Sequence, residues 1–360
     1  MTKNIFSVIT GSGSYIPTNK IPNDYFKDHV FFGEDGLKLE KSNEEIILQF
    51  QSITGIEERR YVDNNLVASD IGFYAAQKAI ASANIDPETI DYIIMAHNWG
   101  DIKYENRRTD ILPTLASRIK HHLKIKNPNT IPYDLPFGCA GWVEGVIHAE
   151  RYIKSGAARK VLVIGADTLS RVIDPHDRDS MLYSDGAGAI IIEAVESKQP
   201  VGIIAYTTES YTTELAFILR MGKSYNPNYP DNHLFLKMQG RKLYEYALKI
   251  VPQVIKASIE KAGLSLTDFD KLLIHQANTK MDDAILKRLF DLCGVKKIPE
   301  NFMPMTVSFL GNSSVATVPT LYDLICKGEL KNHSIKKGSN IMFVAVGAGI
   351  NVNSIVYKVP

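Results

Sequence analysis

Residues 80–96, IASANIDPETIDYIIMA, return in outline 179 residues later as IEKAGLSLTDFDKLLIH, residues 259–275. Ile80 falls on Ile259, Ala83 on Ala262 and Asp91 on Asp270, and the run Ile93-Ile94-Met95 falls on Leu272-Leu273-Ile274. A second pair follows in the same order. From Cys139 a helical pattern runs to Ser155-Gly156 and is followed by VLVIGA from Val161; from Gly311-Asn312 another runs to Lys327-Gly328 and is followed by IMFVAV from Ile341. One such match alone is what any two helix–strand units would give, but two in the same order point to a duplicated unit. A duplication sets Cys139 and Asn312 at equivalent turns, where a pseudo-twofold axis lets both face one cleft.

The repeated units alternate strand and helix. YIIMA (92–96), KVLVIGA (160–166), AIIIEA (189–194), KLLIH (271–275) and IMFVAV (341–346) are apolar on both faces, as buried strands are. Helical spacing marks 69–83, 141–155 and 241–262. The pattern predicts an α/β fold with largely parallel sheets. A chain of 360 residues suits one large fold of two halves. The loop GKSYNPNYPDN (222–232), rich in Pro, Asn and Tyr, is the expected junction, giving halves at 1–222 and 233–360.

Charge narrows the partners. There are 41 basic and 40 acidic residues, so no global field draws nucleic acid or an anionic membrane. No apolar run has the length of a membrane span, and the N-terminal MTKNIFSVITGSGSYIP is broken too early by glycines for a secretory signal. Three cysteines without metal-like spacing fit a reducing compartment, and a cytoplasmic protein is expected. GSG (11–13) and GAG (186–188, 347–349) lack the spacing of a dinucleotide fingerprint, so neither a redox cofactor nor a metal is expected.

Cys139 stands in FGCAGWVEG (137–145), where small residues lead into a helix. Unpaired N–H groups at a helix start favour a thiolate, and the Cys139 N–H could serve an oxyanion. The commoner fate of a cysteine is that of a small buried hydrophobe, and Cys293 and Cys326, in apolar helical patterns, are read that way. His275 ends a strand and opens HQAN, at the carboxyl end where open α/β sheets place their ligands. His121-His122 read as a solvated helix face. Asn312, in LGNSSVATVP, reads equally as a helix N-cap. Together Cys, His and Asn suit carbon–carbon bond formation on thioesters. The thiolate takes an acyl group from a carrier, and a second thioester loses CO2 to leave an enolate that neutral His275 and the Asn312 amide can hold. A papain-like protease also uses Cys, His and Asn, but the duplicated α/β layout speaks against that fold.

CAG (139–141), DPHDRDSMLYSDGAGA (174–189), IHQAN (274–278) and GNSSVATVP (311–319), with TGIEERRY (54–61) and GSGSYIP (11–17) before them, form an ordered set. The set resembles β-ketoacyl-acyl-carrier-protein synthase III, of the thiolase-like condensing superfamily. The resemblance spans nearly the whole chain. It implies a thiolase-like five-layer αβαβα fold of two pseudo-duplicated halves, a homodimer, acyl carrier protein as partner, and the catalytic triad Cys139, His275 and Asn312. It also implies an oxyanion hole from Cys139 and Gly349, and substrate or carrier contacts from Arg178, Asn278 and Lys280. Lys280 stands where the family has an arginine, keeping the charge but losing the bidentate fork. For Arg178 and Lys280 a solvated surface charge is the competing reading.

Some positions depart from the family. Its adenine clamp of Trp and Arg before TGI is replaced here by Gln49 and Ile53, and its Gly-Gly-Gly near the C-terminus by Gly347-Ala348-Gly349. The segment NWGDIKYENRRTDILPT (98–114) is longer and more charged than the family's acyl-pocket stretch, which reaches across the dimer interface. The expected activity is decarboxylative Claisen condensation of a Cys-bound acyl group with a malonyl- or related acyl-carrier-protein thioester. The alternative is a specialised ketosynthase joining longer or β-ketoacyl chains toward cyclic diones, alkylresorcinols or quinolones. Two lesser alternatives are a hydroxymethylglutaryl-coenzyme A synthase, with Glu105 as its carboxylate base, and a non-catalytic acyl-binding partner. Such partners usually lack the nucleophile.

Overall fold

In the computed structural model, which describes residues 4–360, the apolar runs become the inner strands of two sheets. The first holds β1 (Asn4–Tyr15), β2 (Tyr92–His97), β3 (Ile131–Pro136), β4 (Lys160–Thr168) and β5 (Asp185–Ser197), in the order β1-β5-β4-β2-β3. The second holds β6 (Gly202–Ser210), β7 (Lys271–Ile274), β8 (Asn340–Gly347) and β9 (Asn351–Lys358), in the order β7-β8-β9-β6. Laid side by side, β1, β5, β4 and β2 match β6, β9, β8 and β7. Edge strand β3 has no counterpart.

The sheets are mixed rather than largely parallel. β2 runs parallel to β3 and β4, and β7 to β8, while β5 and β9 are antiparallel to both of their neighbours. In the second sheet the reason is connection length. β8 and β9 are joined by only Ala348–Ile350, whereas a parallel partner needs a crossover of a dozen or more residues.

Five helices form the layers around the sheets: α1 (Ala68–Ala83), α2 (Gly141–Lys154), α3 (Gly240–Lys261), α4 (Thr279–Leu292) and α5 (Thr317–Cys326). The shorter helix Leu115–His122 lies beside α1 on the outer face of the first sheet. α2 and α5 lie between the sheets, where Trp142, Val146, Val318 and Leu321 share one core with Val163 of the first sheet and Phe343 of the second. α1 packs on the outer face of the first sheet, and α3 and α4 on that of the second. The stack is α–β–α–β–α. Gly11 and Gly13 let α1 lie against β1; a Cβ there would come within 2.5 Å and 2.4 Å of the carbonyl oxygens of Ala79 and Ala75.

The sheets divide the chain earlier than the expected 222/233 boundary. β6 belongs to the second sheet through its pairing with β9, so the halves meet between Ser197 and Gly202. The segment read as a junction is instead the loop of a hairpin, whose strands Leu219–Gly222 and Phe235–Met238 pair antiparallel. Buried Lys237 anchors that hairpin to the 174–179 loop through Asp174 at 2.6 Å and Asp177 at 3.0 Å. Among the described residues no helix is long and apolar enough to cross a membrane.

Candidate active site

Four backbone turns at strand ends and helix starts converge on a cavity of about 380 Å³ lined by Cys139, His275 and Asn312. Cys139 is the middle residue of the 3₁₀ turn Gly138–Ala140 that leads into α2. Gly138 takes φ +64°, and a Cβ on it would come within 2.6 Å of the Ala348 nitrogen, so only glycine fits. The N–H of Cys139 lies in the first turn, where no intrahelical carbonyl is available. His275 follows β7, its N–H donating to the Val344 carbonyl at 2.8 Å.

Asn312 sits after Gly311 and before the 3₁₀ turn Ser314–Ala316. Its own N–H donates to the Leu182 carbonyl at 2.9 Å, and its Oδ1 accepts from the Ser314 N–H at 2.8 Å. An N–H can only donate, so Oδ1 is the bound atom and the Nδ2 amide is left over for a ligand. Asn312 is therefore not a helix N-cap, since Ser313 and Ala316 hold those positions; its side chain closes the turn that precedes them, and the residue lines the cavity. The turns before α2 and α5 are equivalent, with one refinement. Gly138 and Ser314 each stand three residues before the helix and both take positive φ, +64° and +52°. By that match Cys139 corresponds to Val315, not to Asn312.

The fourth turn, Gly347–Gly349, closes the cavity behind Cys139. Gly349 lines it. The backbone pressed on the nucleophile is nonetheless that of Gly347, where a Cβ would come within 2.7 Å of the Cys139 and Ala140 nitrogens.

Burial dominates the electrostatics. It pushes the Cys139 thiol up to about 11, against a hydrogen bond from the Ser314 hydroxyl and with added repulsion from Asp167. The helix start does not by itself yield a low thiol pKa, because it is outweighed by desolvation. Burial also depresses His275 to about 4, opposed by the backbone of Ser314. His275 is therefore neutral at physiological pH.

That depression has a sign for stability. Below the ordinary histidine pKa of 6.5 the unfolded chain takes up a proton that the folded site refuses, so stability present above that pH is lost as pH falls toward 4. The loss attributable to His275 is up to about 3 kcal/mol. Urea midpoints at pH 7.5 and 4.5 should separate more for the wild type than for His275→Gln.

A second cavity of about 430 Å³ holds Arg178, Asn278, Lys280, Gln49 and Ile53. Met238, Leu243, Ala277, Met281 and Asn312 line both cavities, which makes them one path from surface to thiol. Arg178 and Lys280 are exposed on its outer part. Asn278 caps α4, its Oδ1 accepting from the Met281 N–H at 2.8 Å.

The model of 3-oxoacyl-[acyl-carrier-protein] synthase III matches residues 133–211, and the model of that enzyme's C-terminal region matches residues 259–359, together half of the chain. The chain belongs to the 3-oxoacyl-acyl-carrier-protein synthase III family. Solved structures agree with the thiolase-like fold. The synthase III of Aquifex aeolicus VF5 is 26% identical, with 98% of this chain and 99% of that one covered at a TM-score of 0.77. The synthase III of Thermus thermophilus is 26% identical over 98% and 99% at 0.79. The priming β-ketosynthase of the R1128 polyketide biosynthetic pathway is 26% identical over 99% and 96%, also at 0.79.

Against this family background, the positions of the missing adenine clamp, Gln49 and Ile53, do border the outer cavity. Glu105 is exposed and lines neither cavity, so within this chain it has the setting of a solvated charge. Among the described residues no group of three or more His, Cys, Asp and Glu side chains could hold a metal ion. Sequence reasoning missed the 219–238 hairpin as a wall, with Met221 accepting from the Trp99 indole N–H at 3.0 Å. It also missed Asn98, Asp167 and Ser314, which no local spacing singles out.

Proposed function

We propose that this protein is a decarboxylative condensing enzyme acting on thioesters carried by coenzyme A or by the phosphopantetheine arm of acyl carrier protein. The observation that carries the reading is one apolar cavity bearing a cysteine at a helix start, a neutral histidine and a free asparagine amide. The Cys139 sulfur attacks the carbonyl carbon of the first thioester. A new C–S bond forms, and the carrier leaves as its thiol with the proton that Cys139 gave up. The second thioester loses its α-carboxylate as CO2. The enolate oxygen accepts hydrogen bonds from the His275 ring N–H and the Asn312 amide. Its carbon then attacks the acyl-Cys139 carbonyl, whose oxyanion is held by the N–H groups of Cys139 and the Gly347–Gly349 turn. The C–S bond breaks with the electron pair going to sulfur, and the Cys139 thiolate takes a proton from solvent. Arg178 and Lys280 meet the phosphates of the carrier at the mouth, with Asn278 beside the arm.

A homodimer is part of this reading. Leu112, 87% exposed at the end of the 98–114 segment, and edge strand β3 are the surfaces that a second copy would cover. The specialised-pathway version shares the chemistry and differs in the acyl group. It is favoured by Gln49 and Ile53, which stand in place of the clamp on the wall of the outer cavity.

Intact-protein mass spectrometry after incubation with acetyl to decanoyl and β-ketoacyl donors, each on coenzyme A and on acyl carrier protein, tests both versions. A gain of one acyl group is expected. Preference for short acyl-coenzyme A supports a primer synthase, and preference for long or β-keto chains supports the specialised enzyme. No adduct from any donor would overturn the condensing reading.

A further inference from the structure

A chain of polar side chains from three separate parts of the sequence ends on the Cys139 sulfur. Asp167, 2% exposed near the end of β4, accepts the backbone N–H of Asn98 on Oδ1 at 2.9 Å and the Asn98 side-chain amide on Oδ2. The same Asn98 Nδ2 donates to the Ser314 Oγ at 2.9 Å. Ser314 Oγ in turn lies 3.1 Å from Cys139 Sγ.

The directions in this chain follow from the Asp167 carboxylate, which burial pushes up to about 6 and which is ionised above that pH. An ionised carboxylate only accepts, so Asn98 must turn its NH2 toward Asp167 rather than its carbonyl. That NH2 has two protons, one for Asp167 and one for Ser314. The Ser314 oxygen is thereby an acceptor on the Asn98 side, and its single proton has two acceptors in reach, the Cys139 sulfur at 3.1 Å and the Asp167 carboxylate, between which the Asn98 amide holds it toward sulfur. Ser314 also ties the rest of the site together: its N–H binds Asn312 Oδ1, and its backbone interacts with the His275 ring.

We propose that Ser314 is a further catalytic residue, the hydroxyl donor that stabilises the Cys139 thiolate, and that Asn98 and Asp167 are positioning residues that keep this hydroxyl aimed at sulfur. The proposal rests on Cys139 being the nucleophile. It answers a difficulty that burial creates: desolvation pushes the thiol up, and the Ser314 hydroxyl is the largest influence opposing it, holding the thiol at about 11 rather than higher. Asp167 acts in two senses: its charge opposes the thiolate, while its grip on Asn98 orients the donor. Ser314 takes φ +52°, a backbone position suited to glycine, so Ser314→Gly removes the hydroxyl without backbone strain.

The test is the pH dependence of Cys139 alkylation by iodoacetamide, read by peptide mass spectrometry on the full-length protein, for wild type, Ser314→Gly and Asn98→Ala. Besides each other, the ionisable side chains facing Cys139 and Asp167 are His97, Tyr183 and His275. They are present in all three proteins. Ser314→Gly should raise the apparent thiol pKa by about one to two units, the worth of a hydrogen bond to a charged group. Asn98→Ala should raise it comparably although Ser314 remains, because the released hydroxyl turns to the Asp167 carboxylate.

An unchanged pKa in Ser314→Gly, with thermal melting near that of the wild type, overturns the proposal. A shift in Ser314→Gly with none in Asn98→Ala overturns the positioning role. Acyl transfer to wild-type Cys139, measured in parallel, reports on the nucleophile separately, so the two readings fail in distinguishable ways.

Discussion

Cys139→Ala is expected to take up no acyl group from any donor and to lose condensation by at least about 10⁴-fold, the scale seen when a covalent nucleophile is removed. The variant keeps the backbone that the site depends on. Gly138, not Cys139, carries the positive φ of the turn, and the Cys139 N–H stays where Gly347 meets it. The sulfur borders a cavity, so its removal enlarges a space already present and leaves little packing to lose. Decarboxylation of a malonyl thioester should persist, because the donors assigned to the enolate, His275 and Asn312, are untouched. Mass spectrometry for the adduct and CO2 release for the second step read the two halves independently. Condensation at the wild-type rate would remove Cys139 from the mechanism.

What the sequence made legible follows from locality. Runs such as KVLVIGA are apolar on both faces because both sheet faces are covered by helices, and this shows in seven residues. His275 was visible because it ends such a run. β3, IPYDLP, escaped notice because it carries Pro132 and Pro136 and lies at the sheet edge, where the ladder tolerates proline. The transfer of β6 to the second sheet depends on pairing with β9, more than 140 residues away. Cys139 at a helix start was legible, but its ionisation was not, since burial is a property of the assembled cavity. The same holds for Ser314. It reaches Cys139 across 175 residues and Asn98 across 216, so the network exists only once the pseudo-twofold halves are packed.

His275→Ala and Asn312→Asp should separate the two half-reactions. Each is expected to slow malonyl-thioester decarboxylation by roughly 10²–10³-fold, the cost of one preorganised donor at a developing oxyanion. Acyl transfer to Cys139 should stay within about tenfold of wild type. Aspartate is the informative substitute at position 312. It retains an oxygen to accept the Ser314 N–H, now seen at 2.8 Å, and so preserves the turn that holds Ser314 near the sulfur. It offers no N–H to the enolate and adds a like charge. Alanine would confound the two effects by releasing Ser314.

The pH profile gives a further handle. With His275 depressed to about 4, decarboxylation by the wild type should stay flat from pH 8 down to about 5, since the ring remains a neutral donor throughout. A rate that instead followed a group titrating near 6.5, and did so also in Asp167→Asn, which removes the carboxyl held at about 6, would mean that His275 works as a proton acceptor. Equal loss of both half-reactions in Asn312→Asp would place that residue's influence on the thiol, through Ser314, rather than on the enolate.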